Sequence, residues 1–527
     1  MCMWHTKKQL TISKRSLIIL SFLYLLLQTG LFLQGWFSPL IANGLIIATL
    51  AALYGYTMTS GRLDASDQWI MNGTDITCSL LAVLVLATIL IVGGMIGGFP
   101  SHADFLYFRQ ALYLNLIHAP WPLVLPNGKE MSYYLAAMLP PAMLARILPT
   151  GWQQMPLLLN TLFPLTLTLL LFWQGRKKTS LLFLFMLLCF SDPLRLPFHP
   201  RTEPFLEPLF AQLEKISGLD VRILTSWYAS RTLIAPTITS IGMYNSFPST
   251  LLVAAMLPHL RQSRGLIPLC IALLVPISPL GAIACMPIAL WALAPGKEQI
   301  YNCRSLCILL LFSLLSLLLV AATAVYFLRA DSDVNVVATA WQVKGHSFWI
   351  FYLRYFAGAL LLILPLWPTR KRDNLYRVTA LSAFLLPLLY IGSVKLSPGI
   401  WGFNELTLKG AIVYTLILGG MWCDDWKRLG SIRWLMVFWM IIVTGIYLKK
   451  QVTSFDIHHP VEDMWNGHLC HDRLFLKQSI PNVKAPLIPG VILRKSGESE
   501  EHFPGSILPK ADGKVPYGTP PSPHALP

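Results

Sequence analysis

Charge is what this chain has least of. Only 13% of its 527 residues are charged, whereas 55% are hydrophobic. Soluble domains carry about 25% charged residues, so the deficit argues against a soluble globule and for a polytopic membrane protein. Acid is scarcer still, with 25 acidic against 41 basic residues and a net charge of +16. A nucleic-acid binder would gather such a surplus into one patch. Here the bases stand in short clusters between apolar runs, the pattern that cytoplasmic anchors of membrane helices require. Nucleic acid is therefore not expected as a partner.

Cysteine chemistry is also missing. There is no CxxC and no Cys/His ligand spacing, and seven of the nine cysteines lie in or beside apolar runs, where they act as small hydrophobes. That argues against a disulfide framework or a zinc site. The tail groups His458-His459, Glu462-Asp463, His468, Cys470 and His471 match no familiar metal spacing. No internal repeat of the kind that builds many transporters is present. Nor does a small-x-small cleavage site follow Ser16–Leu33, so Lys7, Lys8, Lys14 and Arg15 read as the cytoplasmic flank of a retained signal anchor.

What the chain has in quantity is apolar runs. A helix needs about 20 residues to cross roughly 30 Å of hydrocarbon. The runs are Ser16–Leu33, Pro39–Met58, Cys78–Gly98, Met155–Trp173, Thr179–Phe190, Ser249–Leu260, Gly265–Ile277, Leu280–Ala294, Ser305–Leu328, Phe348–Trp367, Val378–Val394, Gly410–Trp422 and Trp434–Leu448. The expected fold is all-α, a bundle of about 13 transmembrane helices. Met131–Leu148, with Pro140-Pro141, is read as interfacial. If it does not cross, Arg176-Lys177-Lys178, Arg261–Arg264, Lys297–Arg304, Arg370-Lys371-Arg372 and Lys427–Arg433 all fall on the cytoplasmic side with the N-terminus. Residues 1–448 then form the membrane domain, with 99–154 and 191–248 as the larger outward loops. Residues 449–527 form an extracytoplasmic tail whose Pro- and Gly-rich end is expected to be disordered.

The polar residues then sort to the outer face. Asp104, in HADF, opens the first outward loop at the bilayer surface beside His102. A carboxylate there suits general-base work on a membrane-tethered substrate, and equally suits the N-cap of the helix FLYFRQALYLNLI. His102 reads as a tuner of Asp104, an acceptor ligand, or an idle loop histidine. Three bases could meet an anion: Arg354 within FWIFYLRYFAG, Lys409 at the head of its span, and Arg109. Each has a plainer reading. Arg354 could snorkel, Lys409 could form a surface pair with Glu405 one turn earlier, and Arg109 could be solvated. In the loop 191–248, Asp192 is a second candidate acid and Trp227 could stack on a sugar ring, as could the aromatics of any amphipathic loop.

Several weak motifs in order carry a resemblance: HADF, WPLVLPNG, SYYLAAMLPPAML, FSDPL, and GFNELTLKGAI with Phe403, Asn404, Glu405 and Lys409. Together they resemble the C-type (GT-C) integral membrane glycosyltransferases, in particular a poorly characterised bacterial branch. The resemblance implies a GT-C-like bundle with juxtamembrane helices in the first outward loop and a catalytic acid there. It also implies a polyprenyl-phosphate sugar donor, a glycan, lipid or protein acceptor, and a cell-membrane location. By that resemblance Asp104 and Asp192 are the candidate catalytic acids, and Lys409, Arg354 and Arg109 the donor-phosphate ligands. His102, Asn404, Glu405, Tyr133 and Trp227 are the substrate contacts. Lys409 stands where Arg is more usual, and no DxD pair follows Thr179–Phe190. No metal ligand is assigned, and a divalent-metal cofactor is left open. The other class of function is a transporter, flippase, polymerase or ligase of lipid-linked glycans. A transporter would be expected to place ionisable groups at mid-span.

Overall fold

The computed structural model describes residues 10–59, 68–71, 73–94, 112–118, 120–123, 134–173, 246–294, 303–328, 330–331, 335–339, 359–360, 362–393, 395–397, 400–401, 405–435 and 482–483, with 212, 352, 356 and 438 singly. Helices account for 85% of them. Among the described residues, four helices are long and apolar enough to cross a membrane: α1 (Lys14–Trp36), α2 (Pro39–Thr59), and, later in the chain, Met155–Trp173 and Cys303–Leu328. At 1.5 Å per residue, the 23 residues of α1 reach about 35 Å. α1 and α2 form a hairpin because Pro39 cannot continue α1 yet suits the first turn of α2. Ahead of α1 the strand Leu10–Ser13 pairs antiparallel with Gln68–Met71, which follows α2.

In chain order the main helices described are then α3 (Gly73–Gly94), α4 (Leu139–Ala145), α5 (Met155–Trp173), α6 (Phe247–His259), α7 (Leu266–Leu274), α8 (Pro279–Leu293), α9 (Cys303–Leu328), α10 (Asn374–Leu385) and α11 (Glu405–Asp424). α6 is the centre. Each of residues 247–257 is buried, and it packs on α5, α8 and α11. A helix apolar on all sides belongs in such a position. α2 and α9 lie outside and expose leucines along their outer faces, Leu310, Leu314 and Leu317 among them. Exposed leucines in register on a long helix mark a lipid-facing surface.

Six hydroxyls inside the bundle are answered locally. Ser21, Thr49, Thr161, Thr168, Ser316 and Thr323 each donate to the carbonyl four residues earlier. Prolines inside helices release carbonyls, and Pro164 in α5 has no N–H to offer the Asn160 carbonyl. Tyr24 of α1 takes it, its hydroxyl donating to the Asn160 carbonyl at 2.8 Å.

Met131–Leu148 was read as non-crossing. Its described part is a single 3-10 turn, Ala136–Met138, followed by the seven residues of α4, about 10 Å of helix and too short to span. Pro140 and Pro141 sit in the first turn, where a missing N–H costs nothing. The helical residues 112–118 and the turn Thr150–Trp152 complete a platform at one end of the bundle. Tyr113 donates to Gln153 O at 2.8 Å, and the Arg146 guanidinium stacks over Trp121 at 4.6 Å while donating to Leu116 O at 2.9 Å.

One span differs from its expected form. Val378–Val394 is helical only to Leu385, turns through Leu386–Leu388, and continues as the strand Leu389–Ser393, which pairs with Asn335–Thr339. Pro387 ends the helix, and Tyr390 and Ile391 favour the extended chain. For Phe348–Trp367 and Trp434–Leu448 only scattered helical positions are described, and Thr179–Phe190 lies outside the described residues.

Candidate functional site

The packed helices have two distinct ends. Aromatic contacts join Phe32 and Trp36 at the finish of α1 to Tyr326 at the finish of α9. Thr29 of α1 donates to Leu273 O in the last turn of α7. α6, α8 and α11 begin near this level and run the other way. Lys409 of α11 reaches Ser246 ahead of α6, Tyr414 of α11 reaches Ala284 of α8, and Thr250 of α6 lies against Gly281 of α8. Three helix starts therefore converge at one end, which can be called the Lys409 end.

The opposite end collects the bases. His259, closing α6, lies 3.0 Å from Leu171 O near the finish of α5, and Arg261 stacks on Trp291 at the finish of α8. Arg370 bridges Asp425, just past α11, at 2.6 Å, Asp373 at 3.2 Å and Asp424 at 3.4 Å. Lys14, Arg15, Arg261, Arg264, Arg304, residues 370–372, Arg377, Lys427, Arg428 and Arg433 all belong to helix starts or turns at this end. Among the described residues, Arg146, Lys395 and Lys409 are the bases at the other.

At the Lys409 end the local construction is specific. α11 starts at Glu405, so Lys409 stands a full turn inside it, at 3% exposure, with its amino group donating to Ser246 Oγ. The sequence reading sets Lys409 at the outer head of its span, as a phosphate ligand or as one of a pair with Glu405; what the structure adds is burial of Lys409. Its cause is the close approach of neighbouring chain: a Cβ on Gly410 would come within 2.3 Å of Leu386 Cδ2. Ser246 occupies the N-cap position of α6, but its hydroxyl makes no capping bond. It serves as acceptor for Lys409 instead, while its carbonyl takes the Thr250 hydroxyl at 2.7 Å. Ser278 caps α8, accepting from Gly281 N at 3.2 Å. Gly281 has no side chain because a Cβ there would stand 2.3 Å from Thr250 Oγ1 and 2.5 Å from Ser278 Oγ. Three hydroxyls and a lysine are thus gathered where α6, α8 and α11 start.

The polar group continues sideways. Ser249, one turn into α6, donates to Gln28 Oε1 of α1 at 3.1 Å. Tyr24 lies a turn further along α1, its hydroxyl on the Asn160 carbonyl, and Asn160 Nδ2 donates to Ala137 O beside α4 at 2.9 Å. Polar groups therefore run from α11 across α6, α1 and α5 to the platform of residues 112–152. Gln28 stands eight residues before the last residue of α1, so this level lies about 12 Å below that helix's end.

Chemically, the arrangement offers a cationic side chain, hydroxyl donors and the positive ends of helices, which together favour an anion. Lys409 is the sequence-chosen site residue whose side chain is described. Glu405 is described as the first residue of α11, without its side chain. Asp104, Asp192, Arg354, Arg109, His102, Asn404, Tyr133 and Trp227 lie outside the described residues. Ser246, Thr250, Ser278 and Gln28 were not legible as site residues: small uncharged side chains in apolar runs carry no sequence signal. Among the described residues no group of three or more His, Cys, Asp or Glu could hold a metal ion.

No protein-family model, no curated protein and no solved structure matches the chain.

Proposed function

We propose that the protein is a multi-pass membrane glycosyltransferase of the GT-C kind, built on about 13 transmembrane helices. It transfers a sugar from a polyprenyl-phosphate donor to a glycan, lipid or protein acceptor at the outer face of the cell membrane. The observation that carries this reading is Lys409, a cation inside an apolar bundle, held by Ser246 where three helices start. Cations within membrane bundles are costly and are kept where they meet an anion or a pathway. A lipid-tethered phosphate is the anion that reaches such a depth from the bilayer.

Orientation follows from the segregation of bases. With the Arg370 end in the cytoplasm, as the positive-inside bias requires, the Lys409 end and the platform of residues 112–152 face outward. The first outward loop then brings Asp104 to the same face. In this mechanism Asp104 takes the proton from the acceptor hydroxyl as that oxygen attacks the anomeric carbon, and the bond to the lipid phosphate breaks. Lys409, with Arg354 and Arg109, offsets the charge that develops on the departing phosphate. Asp192, His102, Asn404, Glu405, Tyr133 and Trp227 are the proposed acid and contacts for sugar and acceptor.

The test is transfer by the purified protein from a polyprenyl-phosphate sugar. Asp104→Asn should abolish it, by at least the 10²-fold typical of a lost general base, with unfolding temperature unchanged. Undiminished turnover removes Asp104 from the mechanism. Movement of the donor across vesicle membranes without any transfer would instead assign the protein as a flippase.

A further inference from the structure

A second site emerges at the Arg370 end, independent of the proposed chemistry. After α11 the chain turns through residues 425–431, using Gly430 at φ 57°, a left-handed conformation that glycine adopts without strain. It then re-enters a helical stretch at 432–435. Lys427 and Arg428 stand exposed on the turn, Arg428 at 72%. Its contact with the buried Asp425 is 3.6 Å long and the guanidinium itself stands in solvent, so it is held only weakly.

Arg433 is built in differently. Its guanidinium lies 5.7 Å from the Trp426 ring and 5.4 Å from the Trp434 ring, which meet edge to face at 5.9 Å. It donates once, through Nη1 to Trp426 O at 3.2 Å, and its buried Nε has no hydrogen-bond partner. Immediately beyond it the chain exposes Trp434, Leu435 and Phe438, at 60%, 66% and 61%. These fall on one helical face by their spacing of three and four residues. Three bases thus meet an exposed apolar face, with tryptophans at the boundary, as at a membrane–water interface.

We propose that this corner is a seat for an anionic phospholipid. The headgroup phosphate is held by Lys427, Arg428 and Arg433, and an acyl chain lies along Trp434, Leu435 and Phe438. The occupant is a lipid rather than a soluble anion because charge and apolar surface adjoin in the order a phospholipid presents them. Arg433, steadied by two rings and one carbonyl, loses little freedom on binding and supplies the directional contact.

The experiment is native mass spectrometry of the full-length protein in neutral detergent, with added dioleoyl phosphatidylglycerol or dioleoyl phosphatidylcholine. Wild type should retain the glycerol lipid at least tenfold more tightly. Lys427→Gln with Arg428→Gln, both exposed and harmless to packing, should weaken retention about fivefold per charge removed. Arg433→Gln should do the same, while Arg377→Gln, at the same end, should change nothing. Equal retention of the two lipids by wild type, or unaltered retention in Lys427→Gln/Arg428→Gln, overturns the proposal. So does displacement of the lipid by millimolar inorganic phosphate, which would make the site a simple anion site.

Discussion

Lys409 and Ser246 illustrate how one residue's burial sets another's role. A lysine taken out of water must be compensated by nearby dipoles, and an uncompensated one is strongly destabilising. Ser246 gives up its helix cap to supply part of that compensation. Ser246→Ala should therefore lower stability by about 1–3 kcal/mol. The same change should cost clearly less in a Lys409→Met background, where the donor is gone. A double-mutant cycle on unfolding in detergent checks this, and additive effects would show that the two side chains do not cooperate.

His118 gives a pH dependence at the same scale. Burial, and then the nearby Arg146 guanidinium, lower its pKa below the ordinary value of 6.5. The folded protein thus binds this proton less readily than the unfolded chain. The stability His118 contributes is present above about pH 6.5 and is lost as pH falls through the lowered folded value. His118→Gln should flatten the acid limb of the stability profile between pH 7 and 5. The ring is only partly buried, so the effect is small.

At the scale of elements, two glycines set the close approach of helices at the Lys409 end. Gly281 lets α8 meet α6 at the hydroxyls of Thr250 and Ser278, neither of which has a long side chain to swing aside. Gly410 lets α11 meet Leu386, whose terminal methyl can rotate away. Gly281→Ala should therefore cost about 1–3 kcal/mol, as overpacking commonly does, and Gly410→Ala less. Equal losses in thermal unfolding would contradict this ranking.

Most of these elements were legible in the sequence because long apolar runs have one outcome in a membrane. Met155–Trp173 was read to the residue, and α1, α2 and α9 to within a few. What periodicity did not convey was α10, where Pro387 and the following aromatic and β-branched residues convert an apparent span into helix and strand. Lys409 was legible as a candidate from its charge at the head of an apolar run and from the motif around it. Its burial was not, since that depends on where α11 begins and on a glycine contact 24 residues distant. The hydroxyls around it become visible only when α6, α8 and α11 are assembled.

For the whole molecule, the two ends differ in charge, and the proposed function takes the Arg370 end as cytoplasmic from that difference. A phosphatase reporter, active only when exported, should be inactive when fused after Gln262 at the Arg370 end and active when fused after Asp331, beyond α9. The reverse pattern would invert the orientation and place Lys409 toward the cytoplasm.

The central claim is that Lys409 holds a lipid phosphate at the outer end of the bundle, and equilibrium binding of polyprenyl phosphate to the purified protein tests it most directly. Lys409→Met, which keeps most of the side chain's length but not its charge, should weaken binding at least tenfold, the size of a lost charged hydrogen bond of about 1.5 kcal/mol or more. Unchanged affinity in a folded Lys409→Met protein would contradict the account.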